Sequence, residues 1–341
     1  MKILLFITKS YSLSILRPIE LYCNSVSEIE CAWFKTKSVK DFDVKSIILN
    51  SSKEVMNFKP DAIIVPGNIV PDFWPGLKVQ IFHGLCEEKK GHYDITGFFD
   101  LYCTPGPQMT ERFQELAFKH RNFIVCETGW PKLDNFSQEK NINSQKVMRG
   151  LDSSRKVILY APTFSPKYKS SIELFESIKE IQSNKFHWFI KFHDLEKKSI
   201  VDKYRTIESD YFQIIKDIDI LEYMYSSDIL ITDTSSVAYE FLLFDRPIIT
   251  YKAETRLEKG INIIDPGYLM GAVTRSIEDP NEFSNSRKEI LNDLHPYLDG
   301  ISSKRITEKV SKLLGSSDLE NLKPKPSNWY RKRQIRKLIL S

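Results

Sequence analysis

The stretch Asp228-Ile-Leu-Ile-Thr-Asp-Thr-Ser-Ser-Val-Ala-Tyr-Glu-Phe-Leu-Leu-Phe-Asp-Arg-Pro247 decides the fold class. It begins with a short apolar run of strand length, the pattern of a strand buried on both faces. A hydroxyl-rich turn follows, and then Val237, Phe241 and Phe244 recur at the spacing of one apolar helix face. A buried strand passing through a polar turn into an amphipathic helix is the building unit of a parallel α/β sheet. The first amides of a helix lack partners within it, so Thr234, Ser235 and Ser236 gather hydroxyls and backbone donors where a phosphate would fit. Plain N-capping explains the same residues.

The same rhythm extends outward in both directions. Before residue 130 the apolar runs are Ile3 to Ile7, Cys31 to Phe34, Ile47 to Leu49, Ala62 to Val65, Val79 to Phe82, Leu101 to Cys103 and Phe123 to Cys126. Later ones are Val157 to Tyr160, His187 to Phe192, Phe212 to Ile215, Asp228 to Thr232 and Pro247 to Tyr251, with a helical segment at Ile172 to Ile181. Residues 135–155 are polar and read as a linker. The expected plan is therefore two α/β halves, 1–145 and 146–318, followed by a basic tail, 319–341. The two halves are expected to face a cleft at the carboxyl ends of their strands, where open α/β sheets hold ligands.

Composition agrees. A chain of 341 residues with 41% hydrophobic and 28% charged residues is an ordinary globular protein, and this length suggests two cores. With 13 Gly and 16 Pro it is neither collagenous nor low in complexity. No run approaches the ~18 apolar residues of a membrane span, and the run after Lys2 is shorter than a signal-peptide core, so a cytoplasmic location is expected. The five cysteines, Cys23, Cys31, Cys86, Cys103 and Cys126, show no paired spacing and read as reduced core thiols, with no metal site expected.

Residues 323–341 hold seven basic residues and no acidic one, so the rest of the chain carries −3 against +4 for the whole. Trp329, Tyr330, Ile335, Leu338, Ile339 and Leu340 interleave with these charges. That pattern suits a helix lying on an anionic membrane surface, at the inner face of the cell membrane; packing back onto the fold is the alternative. No basic stripe runs through the rest of the chain, and nucleic acid is not an expected partner.

Two histidines end strands. His83 closes Val79-Gln-Ile-Phe-His-Gly84, where Gly84 permits a tight turn and the close approach of a ligand. His193 closes His187-Trp-Phe-Ile-Lys-Phe-His193, where strand alternation sets Lys191 and His193 on one side. An imidazole titrates near working pH and serves acid–base chemistry or phosphate contact.

Six segments, taken in order, resemble the CDP-glycerol glycerophosphotransferases of bacterial teichoic-acid and capsule synthesis. They are Phe82-His83-Gly84 with Lys89 and Lys90, Glu127-Thr-Gly-Trp-Pro-Lys-Leu-Asp134, Leu159-Tyr-Ala-Pro-Thr-Phe164, Lys191-Phe-His193, Ile231-Thr-Asp-Thr-Ser-Ser236 and Asp299-Gly-Ile-Ser-Ser-Lys-Arg305. The resemblance implies a GT-B-like fold of two Rossmann-like domains. It also implies transfer of glycerol phosphate or ribitol phosphate from a CDP-linked donor to a hydroxyl of a glycan or lipid-linked acceptor, with release of CMP and no bound cofactor or metal.

On the same resemblance His83 is the general base, with Gly84, Lys89, Lys90 and Arg305 near acceptor or phosphate. His193 contacts the donor pyrophosphate. Lys191, Asp233, Thr234, Ser235 and Ser236 bind the donor, Glu240 lies toward its ribose, and Pro162 and Thr163 shape the loop beside it. The chain departs from the family pattern at Asp194, where proline is usual, and at Glu240, where aspartate is usual. The competing readings are a GT-B glycosyltransferase or UDP-sugar 2-epimerase, and a binding protein without turnover.

Overall fold

The computed structural model describes residues 1–85, 91–136, 142–152, 154–164, 170–182, 185–193, 195–217 and 220–340. All seven apolar runs before residue 130 become strands: β1 (Lys2–Ile7), β2 (Glu30–Lys35), β3 (Ile47–Leu49), β4 (Ala62–Val65), β5 (Leu77–Gln80), β6 (Leu101–Thr104) and β7 (Ile124–Glu127). They pair in parallel in the order β3-β2-β1-β4-β5-β6-β7. Strands buried on both faces read as unbroken apolar runs because each side chain meets a helix layer. Central β1 shows this, with Ile3 to Ile7 at most 1% exposed. The Ser12–Ser25, Ser52–Phe58 and Pro107–His120 helices supply crossovers that parallel neighbours require.

The second sheet has the order β10-β9-β8-β11-β12-β13 and is again parallel throughout. Its strands are β8 (Lys156–Ala161), β9 (Phe186–Ile190), β10 (Phe212–Ile214), β11 (Ile229–Thr232), β12 (Ile248–Tyr251) and β13 (Ile261–Ile263). The sequence reading did not contain β13. Its three residues follow Gly260, where a Cβ would lie 1.9 Å from the Ile248 carbonyl oxygen, so only glycine brings this edge strand against β12. Each sheet has its own core: Leu4, Phe6, Trp74, Tyr102 and Phe113 in the first, and Ile158, Tyr160, Trp188, Ile231 and Val273 in the second. The expected class, two parallel-sheet α/β domains, is what forms.

The division along the chain differs from the sequence reading. One compact unit is Met1–Ser137 together with Asp293–Ser341, and the other is Gln138–Asn292. Inside the polar stretch read as a linker lies a helix, Ile142–Met148. Its Lys146 is buried, with Nζ 2.7 Å from the Asp228 carboxylate and 3.0 Å from the Arg155 carbonyl oxygen, so a charged residue here anchors the helix to the second unit. Residues 293–318 return to the first unit. There the Asp134 carboxylate accepts the Ser302 and Ser303 amides (2.8 and 2.7 Å) and caps the Ser302–Leu314 helix, which buries Ile306, Val310 and Leu313.

The basic tail also packs on the first unit. Lys325 donates to the Asn122 and Phe99 carbonyl oxygens and pairs with Asp100. Arg331 donates to the Asn68 carbonyl (3.0 Å), and Lys332 and Arg336 reach Asp72. Ile335, on the Trp329–Leu340 helix, joins the first core. Among the described residues no helix is long and apolar enough to cross a membrane.

Candidate active site

In the first unit β5 ends at Gln80, two residues short of the expected end, because Phe82 adopts a left-handed backbone (φ 61°). The left-handed turn that leads into His83 therefore falls on Phe82. A bulky residue in this conformation costs about 1–3 kcal/mol and persists only where its surroundings hold it. Here the Trp130 indole N–H donates to the Phe82 carbonyl (3.2 Å), and the Trp130 backbone N–H donates to His295 Nε2 (2.9 Å). His295 is fully buried, and desolvation lowers its pKa to about 4. It is neutral at pH 7 and, as Nε2 accepts, carries its hydrogen on Nδ1.

Half-buried His83 sits just beyond this brace, with Gly84 buried beside it. Its Nε2 is 3.4 Å from Nε2 of His92, and the Tyr11 ring lies 6.1 Å away between centroids. Burial raises the pKa of Tyr11. The sequence reading missed His92: it lies nine residues after His83, in a loop without periodicity or motif spacing. Lys89 and Lys90 fall outside the described residues.

Arg305 belongs to the first unit rather than the second. It pairs with Asp299 through both terminal guanidinium nitrogens and lies 4.5 Å from the Tyr297 ring centroid. The Tyr297 hydroxyl donates to Glu127 (2.5 Å), and its pKa is pushed up to about 12, first by desolvation and then by that carboxylate. The Glu127–Asp134 and Asp299–Arg305 motifs thus face each other and fasten the returning chain to the first unit.

In the second unit the recognised segments converge at the carboxyl ends of three adjacent strands, β9, β8 and β11. Asp233, 1% exposed, is the centre. Its carboxylate accepts the Thr163 amide at both oxygens (3.0 and 3.1 Å) and the Ser170 hydroxyl, and the Tyr160 hydroxyl donates to Ser170 in turn (3.2 Å). Desolvation raises Asp233 to about pKa 6, with hydrogen bonds from Ser170, Thr163 and Thr234 opposing that rise. One buried carboxylate therefore ties the Pro162–Phe164 loop to the Thr234–Ser236 turn. Pro162 is buried beneath that loop, while Thr163, Thr234, Ser235 and Ser236 are each partly exposed.

Strand β9 stops at Ile190, so Lys191 and His193 lie beyond it, and strand alternation does not set their sides. Lys191 continues the ladder with one bond, its amide to the Tyr160 carbonyl (2.9 Å). The exposed His193 ring lies against Phe164, with centroids 4.3 Å apart, and its Nδ1 accepts the Leu195 amide (3.1 Å). In the neutral ring that bond leaves the hydrogen on Nε2, as a donor.

The helix after the turn is short, Val237–Phe241, with a 3-10 turn, Leu242–Phe244, continuing it. The expectation of free helix N-terminal amides needs correction. Ala238 donates to the Ser235 carbonyl, Tyr239 and Glu240 donate to the Ser236 carbonyl, and Val237 donates to Ser235 Oγ. The amides of Val237 to Glu240 are thus already paired within the turn and its helix. Glu240 is buried on this helix. Among the described residues no group of three or more His, Cys, Asp or Glu is placed to hold a metal ion.

Two parallel-sheet α/β units of this kind define a GT-B-like class of fold. Residues 83–312, more than half of the chain, match the family model described as CDP-Glycerol:Poly(glycerophosphate) glycerophosphotransferase, and the chain belongs to that family. It is 28% identical over 228 residues to the teichoic acid glycerol-phosphate primase of Bacillus subtilis, covering 62% of this chain and 58% of the primase. It is 29% identical over 238 residues to the teichoic acid poly(glycerol phosphate) polymerase of Bacillus spizizenii, covering 62% and 59%. The chain thus spans about three fifths of the length of these relatives. The fold is similar to that of the wall teichoic acid polymerase TagF, with a TM-score of 0.69 at 15% identity over 92% of this chain and 89% of that one.

Proposed function

We propose that the protein transfers a polyol phosphate, glycerol phosphate or ribitol phosphate, from a CDP-linked donor to a hydroxyl of a cell-surface glycan or lipid-linked acceptor. The observation that carries this reading is the convergence in the second unit. Three segments far apart in sequence meet at adjacent strand ends, Asp233 joins two of them, and all lie in the stretch matched to the family. The names of the relatives, a glycerol-phosphate primase and a poly(glycerol phosphate) polymerase, support the same chemistry.

In this scheme His83 takes the proton of the acceptor hydroxyl, whose oxygen attacks the β-phosphorus, and CMP leaves. His193 Nε2–H, Lys191 and the hydroxyls of Thr163, Thr234, Ser235 and Ser236 hold the pyrophosphate, and Glu240 lies toward the ribose. Fixed donors of this kind stabilise charge that develops on phosphate oxygens. The scheme calls on no metal or cofactor, and transfer that stops in EDTA and returns with Mg²⁺ would overturn that part. Arg305 is left out, being committed to Asp299.

The acceptor's lipid anchor would put the enzyme at the inner face of the membrane. Support for this comes from exposed Trp329, Tyr330, Leu338 and Leu340, with Arg333 and Lys337 exposed among them. Vesicles containing phosphatidylglycerol should bind the wild type and release an Arg333→Glu/Lys337→Glu variant.

The deciding experiment is thermal stabilisation by CDP-glycerol, CDP-ribitol, CMP, UDP and UDP-N-acetylglucosamine. A ligand at ~100 times its dissociation constant adds ~2.7 kcal/mol. Selective stabilisation by cytidine ligands, weakened in His193→Ala, is expected. A response to uridine ligands alone would overturn the reading in favour of a glycosyltransferase or epimerase, and none at all would favour a protein without this donor. His83→Ala should keep the cytidine response and lose transfer by ~10²–10⁴-fold.

A further inference from the structure

Asn68, in the connection from β4 to β5, ties separate segments of the first unit together. Its side-chain Nδ2 donates to the Gly91 carbonyl (2.9 Å), its Oδ1 accepts from Nε2 of Gln80, and its main-chain carbonyl accepts from Nη2 of Arg331 (3.0 Å). A carbonyl oxygen can only accept, so Gly91 fixes the orientation of the amide: nitrogen toward Gly91, oxygen toward Gln80. The two side-chain partners bracket the candidate base in sequence. Gln80 is the buried last residue of β5, shortly before His83, and Gly91 immediately precedes His92, whose ring meets that of His83 with centroids 4.6 Å apart. The third partner, Arg331, comes from the Trp329–Leu340 helix. The same tail holds the far end of the loop that carries His92. There Asn328 donates to the Thr96 carbonyl, and Pro326 packs so close to Gly97 that a Cβ on it would lie 2.3 Å from the proline ring.

We propose that Asn68 is a positioning residue for His83, the node through which the C-terminal helix sets where the two histidine rings sit. The inference rests on the reading of His83 as general base. Asn68 is half-buried and stands outside the hydrophobic core, so its work is polar and directional rather than space-filling. Without it the buried Gln80 amide loses its acceptor and Gly91 is no longer held to the end of β5. A base displaced by ~1 Å from the hydroxyl it serves forfeits up to ~10²-fold in rate.

NMR of the ¹³C-labelled histidine rings on the full chain, without any substrate, tests the node, with signals assigned by replacing each histidine singly with glutamine. Asn68→Asp keeps an oxygen toward Gln80 but sets a second one against the Gly91 carbonyl, where neither group can donate. It should shift the His83 and His92 signals and leave in place those of His187 and His193, which belong to the second unit. Unmoved His83 and His92 signals, or shifts spread equally over all four rings, would overturn the proposal. Arg331→Met should move the same two signals, and Arg331→Lys, which can still donate to the Asn68 carbonyl, should largely restore them. Equal shifts in both Arg331 variants would overturn the link to the tail. With CDP-glycerol and a short-chain glycolipid acceptor, Asn68→Asp should lower kcat about 10- to 100-fold with donor KM unchanged. A raised donor KM at full kcat would overturn the positioning role. Should the wild type transfer nothing from any CDP-polyol, the functional reading fails, while the spectra still judge the node. Should Asn68→Asp fail to fold, the Arg331 pair decides.

Discussion

Replacing Asp233 by asparagine should change how the second unit's stability depends on pH. Burial lifts this carboxyl from 3.8 to about 6, roughly two units, and at 1.36 kcal/mol per unit the protonated form is favoured in the fold by about 3 kcal/mol. The native state thus binds the proton more tightly than the unfolded chain. The resulting stability is fully present below about pH 4 and is lost as pH rises through about 6. The asparagine of the Asp233→Asn variant cannot ionise. It keeps one oxygen acceptor but turns an amide NH₂ toward the Thr163 N–H or the Ser170 hydroxyl, at a cost of about 1–3 kcal/mol that does not vary with pH. The wild type should therefore lead the variant by about 2.4 kcal/mol more at pH 4 than at pH 7. Urea unfolding followed by ¹⁹F NMR on fluorotryptophan-labelled protein isolates the second unit, because Trp188 is the only one of the five tryptophans in it. A gap between the two proteins that stays flat from pH 4 to pH 7, or that widens as pH rises, would refute the reasoning.

Two other perturbations address the first unit. Trp130→Phe removes the donor to the Phe82 carbonyl. It should cost about 1 kcal/mol in urea unfolding and shift the His83 ring signals, whereas unchanged His83 signals would dismiss the brace. Ile335→Ala should destabilise the first unit by about 2–4 kcal/mol, since this side chain is part of its core; a neutral effect would mean the tail is not packed in solution.

The strands were legible because residues such as Ile3 to Ile7 and Ile229 to Thr232 are buried on both faces, and that burial writes an apolar run directly into the chain. Segment ends were less so. The runs at Val79 and His187 continue past their strands because Phe82 and Phe192 remain buried after the ladder has stopped. Burial without pairing leaves the same trace in sequence as burial with it. The Asp233 turn was readable from its hydroxyls, but the carboxylate's grip on Thr163 spans 70 residues and has no local signature. The same holds for Trp130 with His295 and for Asp134 with Ser302. Arg305 was placed in the second half because position along the chain says nothing about which sheet a helix returns to.

That return has a consequence for how the molecule is made. The first sheet emerges from the ribosome early, yet its cap on the Ser302–Leu314 helix, its His295 partner and its Ile335 side chain follow only after the entire second unit has been synthesised. Domains generally fold as units, beginning with the one synthesised first, but here the earliest unit is discontinuous and the later one is not. The second unit can close while the first still lacks the segments that complete it. During that interval Trp130 has no His295 to receive its amide, and the loop carrying His83 lacks part of its support. The candidate base would thus be the last candidate group to be set in place, and a chain interrupted near residue 292 would hold a finished second unit and an unfinished first one.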